Sequence, residues 1–177
     1  MNKHVETILQ AAQLEKKENE LNRQLVNIND LIQGVIESIK LQLDAKPSSV
    51  QTKFEASPSE IWIDEEYFLH VLSNLIDNAI KYAKSEIDIT IITKTLSNKL
   101  FITIEDKGIG MTPDTVKHIF EKFYRAHAGN IHNVKGFGLG MSYVKWVIDL
   151  HKGTIHVTSE LNKGTKVEIS LPLIEPK

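Results

Sequence analysis

The chain contains no cysteine, which removes thiol catalysis, disulfide scaffolds, zinc–cysteine sites and iron–sulfur clusters from consideration. It also lacks a basic excess: 21 Lys and Arg stand against 23 Asp and Glu, a formal charge of -2. Nucleic acid is therefore not an expected partner. No apolar run approaches the ~18 residues needed to span a bilayer, and the opening MNKHVETILQ has no signal-peptide core. A soluble chain without direct membrane contact is expected. With 41% hydrophobic and 25% charged residues, disorder is excluded as the general description. The 177 residues suffice for one domain of about 150 residues with a short appendage, large enough to fold without metal or cross-link.

Periodicity divides the chain into blocks. Residues 5–17 are rich in helix formers, with a short apolar stripe at Val5, Ile8, Leu9 and Ala12. That stripe predicts either a helix docked on another helix or a frayed surface helix. A strand is expected within residues 21–28, followed by a helix capped by Asn29 or Asp30 and running to Leu43. Two strand-like runs, residues 50–56 and 61–63, flank Ser57-Pro58-Ser59 and read as a hairpin. The strongest helical pattern covers residues 64–84. Residues 86–95 and 99–105 read as a second hairpin, residues 138–151 as a helix, and residues 154–159 and 165–171 as a final strand pair. Between Asp106 and Lys135 lies a glycine-rich irregular stretch with a short helix between Thr115 and Phe123. Hairpins outnumber single crossovers, which predicts an α+β fold: a two-layer sandwich with a mixed, mostly antiparallel sheet and helices on one face.

Three constellations could carry chemistry. In the run Asn74 to Tyr82, a helix places Asn74, Asn78 and Lys81 within roughly 60° of one another, while Leu72, Leu75, Ile76 and Ala79 line the opposite side. Asparagines are poor helix formers, so propensity gives no reason for two of them four residues apart. An amide oxygen at Asn78 suits a hard cation such as Mg²⁺, and Lys81 suits phosphate oxygens. Next, Asp106-Lys107-Gly108-Ile109-Gly110 follows a strand. Its carboxylate could accept the exocyclic amine of adenine, although taken alone it is equally an ordinary glycine turn. Last, Gly136-Phe137-Gly138-Leu139-Gly140 opens a helix, where backbone N–H groups and the helix dipole favour an anion. It matches neither the P-loop nor the dinucleotide fingerprint, and by itself it reads equally as a hinge.

In this order the three patterns resemble the ATP-binding catalytic domain of bacterial sensor histidine kinases, within the superfamily that also holds the gyrase, heat-shock chaperone and mismatch-repair ATPases. The resemblance covers residues 21–172. Residues 74–82 look like the N box, 106–110 the first glycine box, 119–125 the F box, and 136–140 the second glycine box. Lys163-Gly164-Thr165 resembles the C-terminal signature. The resemblance implies the Bergerat ATP-binding fold, with ATP and Mg²⁺ bound. Asn78 would ligate the metal, Asn74 assist, Lys81 contact phosphate and Tyr82 lie beside the nucleotide. Asp106 would specify adenine, Gly108 and Gly110 shape its pocket, and Thr165 support Asp106 through a hydroxyl or water. Gly136, Gly138, Leu139 and Gly140 would offer donors to the phosphates. Residues 111–135 would form the ATP lid, with Phe120, Phe123 and Tyr124 anchoring it and Arg125 either reaching the phosphates or standing on the surface.

The resemblance further implies that residues 1–20 are the end of the dimerisation and phosphotransfer hairpin plus a linker, and that residues 21–177 are the catalytic domain. The partners would be the hairpin of the same parent kinase and the receiver domain of a response regulator, in the cytoplasm, with a parent that could be membrane-tethered. Two departures stand out. Lys135 precedes the second glycine box where another glycine is common. No phosphoacceptor motif is present, and His4, followed by Val5-Glu6-Thr7, does not supply one. His70, His118, His127, His132, His151 and His156 lack metal-ligand spacing. Two rival readings remain: a superfamily ATPase that hydrolyses ATP, for which glutamate rather than Asn74 would be the general base, and a non-catalytic ATP-binding interaction module.

Overall fold

Isoleucine at every second position from Ile87 to Ile91 makes a strand with one apolar face, and the sheet is built around that face. The computed structural model describes residues 21–43, 47–125 and 137–173. The expected helix over residues 5–17, His4, His127, His132, Lys135 and Gly136 lie outside the described residues. The elements run β1 (Arg23–Asn27), α1 (Ile28–Ser38), a helical turn α2 (Lys40–Leu43), β2 (Ser48–Glu55), β3 (Glu60–Asp64), α3 (Glu65–Lys81), β4 (Ile87–Leu96), β5 (Lys99–Asp106), α4 (Pro113–His118), α5 (Gly140–Leu150), β6 (Thr154–Glu160) and β7 (Gly164–Pro172).

A five-stranded sheet has the order β2-β4-β5-β7-β6. It is antiparallel throughout except that β2 runs parallel to β4. Ile87, Ile89 and Ile91 of β4, Leu100, Ile102 and Ile104 of β5, and Val167, Ile169 and Leu171 of β7 are buried. They share one core with Ile28, Ile32 and Val35 of α1, Phe68, Leu72, Leu75 and Ile76 of α3, and Tyr143, Val144, Val147 and Ile148 of α5. The interleaved residues Thr90, Ile92, Phe101, Thr103 and Glu168 are only half-buried. This is the expected α+β sandwich with helices on one side of a mixed sheet.

The predicted hairpin of residues 50–56 and 61–63 does not form. β2 leaves to pair with β4, and β3 pairs with β1 in a separate two-stranded antiparallel sheet. Alternation identifies a strand but says nothing about its partner. Here Ile61 and Ile63 are buried in the core, whereas β2 is polar and exposed along nearly its whole length, as suits a sheet edge. The expected cap of α1 shifts as well. Asn27, not Asn29 or Asp30, accepts from the N–H groups of Asn29 and Asp30 at 3.0 and 3.4 Å. The Asn29 side chain is used elsewhere, accepting from the buried Thr93 hydroxyl at 2.7 Å. Asp64 caps α3 through the Tyr67 N–H at 3.2 Å, followed by Glu65 and Glu66 at the positive end of the helix dipole.

A buried histidine ties α3 to α5. His151 Nε2 accepts from the Asp64 N–H at 3.0 Å, so the ring proton sits on Nδ1, which donates to the Val147 carbonyl at 2.8 Å. The Phe68 ring packs edge-on against it at 4.9 Å, and the Arg23 guanidinium donates to the neighbouring Leu150 carbonyl at 2.8 Å. Burial holds the imidazole pKa below its ordinary 6.5. Between that depressed value and 6.5 the unfolded chain binds more protons than the folded one, so stability rises with pH there. The stabilisation is complete above 6.5 and is lost as the pH falls through it, with a slope of at most about 1.4 kcal/mol per pH unit. Urea denaturation between pH 7.5 and 5.5 should therefore show a falling midpoint. His151→Gln, which keeps an acceptor for Asp64, should flatten that dependence.

Candidate functional site

The 17-residue α3 carries its apolar side into the core and leaves Asn74 and Asn78 half-buried on the other. Asn74 Nδ2 donates to the His70 carbonyl at 2.9 Å, which fixes the amide and aims its oxygen at the start of α5. A Cβ placed on Gly140 would lie 3.0 Å from that oxygen. The N box face and the second glycine box, far apart in sequence, are therefore in contact. Among the described residues no side chain caps α5 at Leu139, so its first N–H groups and the positive end of its dipole are left for another acceptor. Leu139 is buried, and Ser142 Oγ donates back to its carbonyl at 2.9 Å. Lys81 stands one turn from Asn78 and pairs with Asp77 at 2.9 Å.

Tyr82 ends α3 with an exposed ring, and its carbonyl accepts the Ile109 N–H at 2.9 Å. This bond brings the first glycine box against the end of the helix. Gly108 is required there, because a Cβ would meet the Tyr82 carbonyl oxygen at 2.5 Å and Asp106 Oδ1 at 2.7 Å. Asp106 Oδ1 accepts the Gly108 N–H at 2.8 Å. Burial raises its carboxyl above the ordinary 3.8, and hydrogen bonds from the backbone N–H groups of Gly108 and Thr165 oppose the shift. Lys107 between them leans away to Asp88 at 2.7 Å.

The far wall is the β6–β7 turn, where the sequence offered Lys163-Gly164-Thr165 as a signature and Thr165 as a site residue but gave no sign of the part played by Ser159. Gly110 has φ +64° and packs its α-carbon against the Glu160 carbonyl; Gly164, at φ +121°, packs against the Asp106 carbonyl. The Asn162 N–H donates to the Ile109 carbonyl at 2.6 Å, and Lys84 Nζ donates to the Asn162 carbonyl at 2.5 Å. Ser159 Oγ donates to the Gly164 carbonyl at 2.8 Å and accepts the Met111 N–H at 2.8 Å. The Thr165 backbone N–H supports the Asp106 carboxylate, and the Thr165 hydroxyl lies 3.0 Å from Ser159 Oγ. Hairpin register around Asn162 would have placed Ser159 opposite Thr165.

The F box differs from the helical expectation. α4 ends at His118, and Phe123 has φ +65° with its side chain 68% exposed. Phe123 anchors through its backbone, its N–H donating to the Gly138 carbonyl at 3.0 Å. Gly138, at φ +74°, has no room for a Cβ beside the Phe123 and Tyr124 backbone. Phe120 packs on the core, the Tyr124 ring lies 5.5 Å from that of His118, and Arg125 is exposed. Among the described residues no three His, Asp or Glu side chains cluster as a metal cage, and no helix is long and apolar enough to cross a membrane.

Comparison with known proteins adds independent findings. Residues 63–175 match the family described as histidine kinase-, DNA gyrase B-, and HSP90-like ATPase. The sensor protein RprX of Bacteroides fragilis is 43% identical over 173 residues, covering 97% of this chain and 33% of that protein. The chain spans about a third of the length of the curated relatives it matches. Among solved structures, full-length ShkA in complex with AMPPNP superposes with TM-score 0.81 at 24% identity, over 95% of this chain and 35% of that one. The Acinetobacter baumannii histidine kinase AdeS gives 0.77 at 23% identity, over 97% and 77% respectively. These two likenesses establish the fold.

Proposed function

The chain belongs to the family of histidine kinase-, DNA gyrase B- and HSP90-like ATPases, and from that premise we propose that it is the catalytic ATP-binding part of a sensor histidine kinase. In this reading residues 1–20 end the phosphotransfer hairpin, and residues 21–177 hold Mg-ATP against a phosphoacceptor histidine that this sequence does not contain. The observation that carries the reading is the meeting of the Asn74 amide oxygen with Gly140 at the head of an uncapped α5. It supports a triphosphate tail lying between the polar face of α3 and the start of α5, with the base toward Asp106. The 43% identity to a sensor protein supports the same assignment.

The donors fit magnesium. Asn78 offers one neutral amide oxygen, and an ion that takes most of its shell from phosphates and water needs little more from the protein. When bound, magnesium would neutralise phosphate charge and align the terminal group. Asn78 orients the tail, Lys81 exchanges Asp77 for a phosphate oxygen, and the α5 N–H groups hold the remaining oxygens. An imidazole nitrogen of the hairpin then attacks the γ-phosphorus as the bond to the ADP oxygen breaks. Water is not activated here, since Asn74 cannot accept a proton and its amide is already held by His70. The receiver domain of a response regulator would take the phosphoryl group next, in the cytoplasm, whether or not the parent protein is membrane-tethered.

The test is to supply the dimerisation hairpin in trans with γ-labelled ATP. Label should appear on the hairpin histidine, and the chain alone should stay unlabelled. Histidine labelling of the chain alone, or steady ATP hydrolysis without hairpin labelling, would overturn the assignment.

A further inference from the structure

Ser159, Thr165 and Asp106 occupy directly opposed positions on three neighbouring strands, β6, β7 and β5. Opposed residues of adjacent strands project from the same face, so the three side chains form one row that ends at the carboxylate. The protons in this row can be counted. Ser159 has one hydroxyl hydrogen, and it goes to the Gly164 carbonyl at 2.8 Å. Its oxygen accepts the Met111 N–H at 2.8 Å. In the 3.0 Å contact between the two hydroxyls, Thr165 must therefore be the donor. With its only proton committed to Ser159, Thr165 Oγ1 has nothing but lone pairs to offer anything bound beside Asp106.

We infer that Ser159 is a specificity-determining positioning residue: by holding the Thr165 proton it makes the base pocket present two acceptors, the Asp106 carboxylate and Thr165 Oγ1. Such a pocket favours a purine with an exocyclic amine and disfavours one with an oxo group at the same place. The inference rests on the nucleotide reading above and adds to it a residue that does not itself touch the base. Ser159 also fastens Met111, where the expected lid begins. Loss of that contact would weaken all nucleotides alike, so it cancels in a ratio of affinities.

Calorimetry with ATP and with inosine triphosphate, which carries an oxo group in place of the amine, tests this on the full chain. Unaltered protein should prefer ATP. Ser159→Ala frees the Thr165 hydroxyl to rotate and donate, and should lower the ATP preference by more than twofold and up to about twelvefold, the worth of one ordinary hydrogen bond. Thr165→Val, which deletes the second acceptor, should lower it similarly and carries the test if Ser159→Ala fails to fold. The double variant should lower it no further, because the two residues act as one unit. A preference unchanged within twofold in the folded variants, or an equal loss for both nucleotides, would overturn the inference. Absence of ATP binding by the unaltered chain would instead sink the nucleotide reading, and this inference with it.

Discussion

Asp106→Asn is expected to weaken ATP binding at least about a hundredfold while leaving the empty protein as stable as before or more so. The first half follows from polarity. Oδ1 is engaged by the Gly108 N–H at 2.8 Å, so an asparagine keeps its oxygen there and turns an NH₂ toward the base. A donor then faces the donor of adenine. A hydrogen bond to a charged group contributes about 1.5–3 kcal/mol, and opposing two donors in a half-buried site adds an unpaired group to that loss. The second half follows from proton linkage. Burial raises the Asp106 pKa in the folded state, so the folded protein binds more protons than the unfolded chain between 3.8 and that raised value. Stability declines as pH rises through this interval, and at neutral pH the ionised carboxylate is a burden that asparagine removes. Thermal melts and calorimetry at pH 7 check both halves. A variant that melts well below the parent yet still binds ATP normally would contradict the assignment of Asp106 to the base.

Gly164→Ala should be the most disruptive small substitution in the site. Its φ of +121° is a conformation that side chains rarely adopt, and the added Cβ would be driven into the Asp106 carbonyl, a backbone atom that cannot rotate away. Strain of this kind costs about 1–3 kcal/mol. Separating the ends of β5 and β7 brings the expected total to roughly 3–5 kcal/mol, among the large effects of single substitutions. For a chain of this length each kcal/mol shifts the melting temperature by about 2–4 °C, so a drop near 10 °C is expected, with nucleotide affinity falling as Asp106 is displaced. Gly34→Ala provides the contrast. Gly34 lies inside α1 with nothing within 4 Å of the new Cβ, and the change should be neutral or stabilising by up to about 1 kcal/mol. Differential scanning calorimetry of the two variants side by side separates backbone crowding from a general intolerance of alanine.

Where one physical signal dominated, the sequence was sufficient. Alternating isoleucines announce β4, the three acids at Asp64, Glu65 and Glu66 announce the start of α3, and Ser97 and Asn98, both at positive φ, close the β4–β5 hairpin as expected. Where the outcome depended on which element met which, the sequence was silent. Nothing in Val50 to Ala56 states that a parallel neighbour awaits it, and the aromatic spacing at Phe120, Phe123 and Tyr124 suggested a helical turn that the positive φ of Phe123 breaks. The glycines of the candidate site were visible because only glycine tolerates such close backbone approach. Ser159 was invisible because a single serine on a strand gains significance only from the residues beside it.

The walls of the site come from segments that begin at Asn74 and finish at Thr165, with Tyr82, Asp106, Gly140 and the last strand pair in between. No short excerpt of the polypeptide can therefore reproduce it, and a guest gripped by all of them pulls N- and C-terminal halves together. Occupancy becomes a fastener for the entire domain: at a hundred times the dissociation constant the added resistance to unfolding is about 2.7 kcal/mol. The loaded protein should consequently survive proteases and heat that consume the empty one.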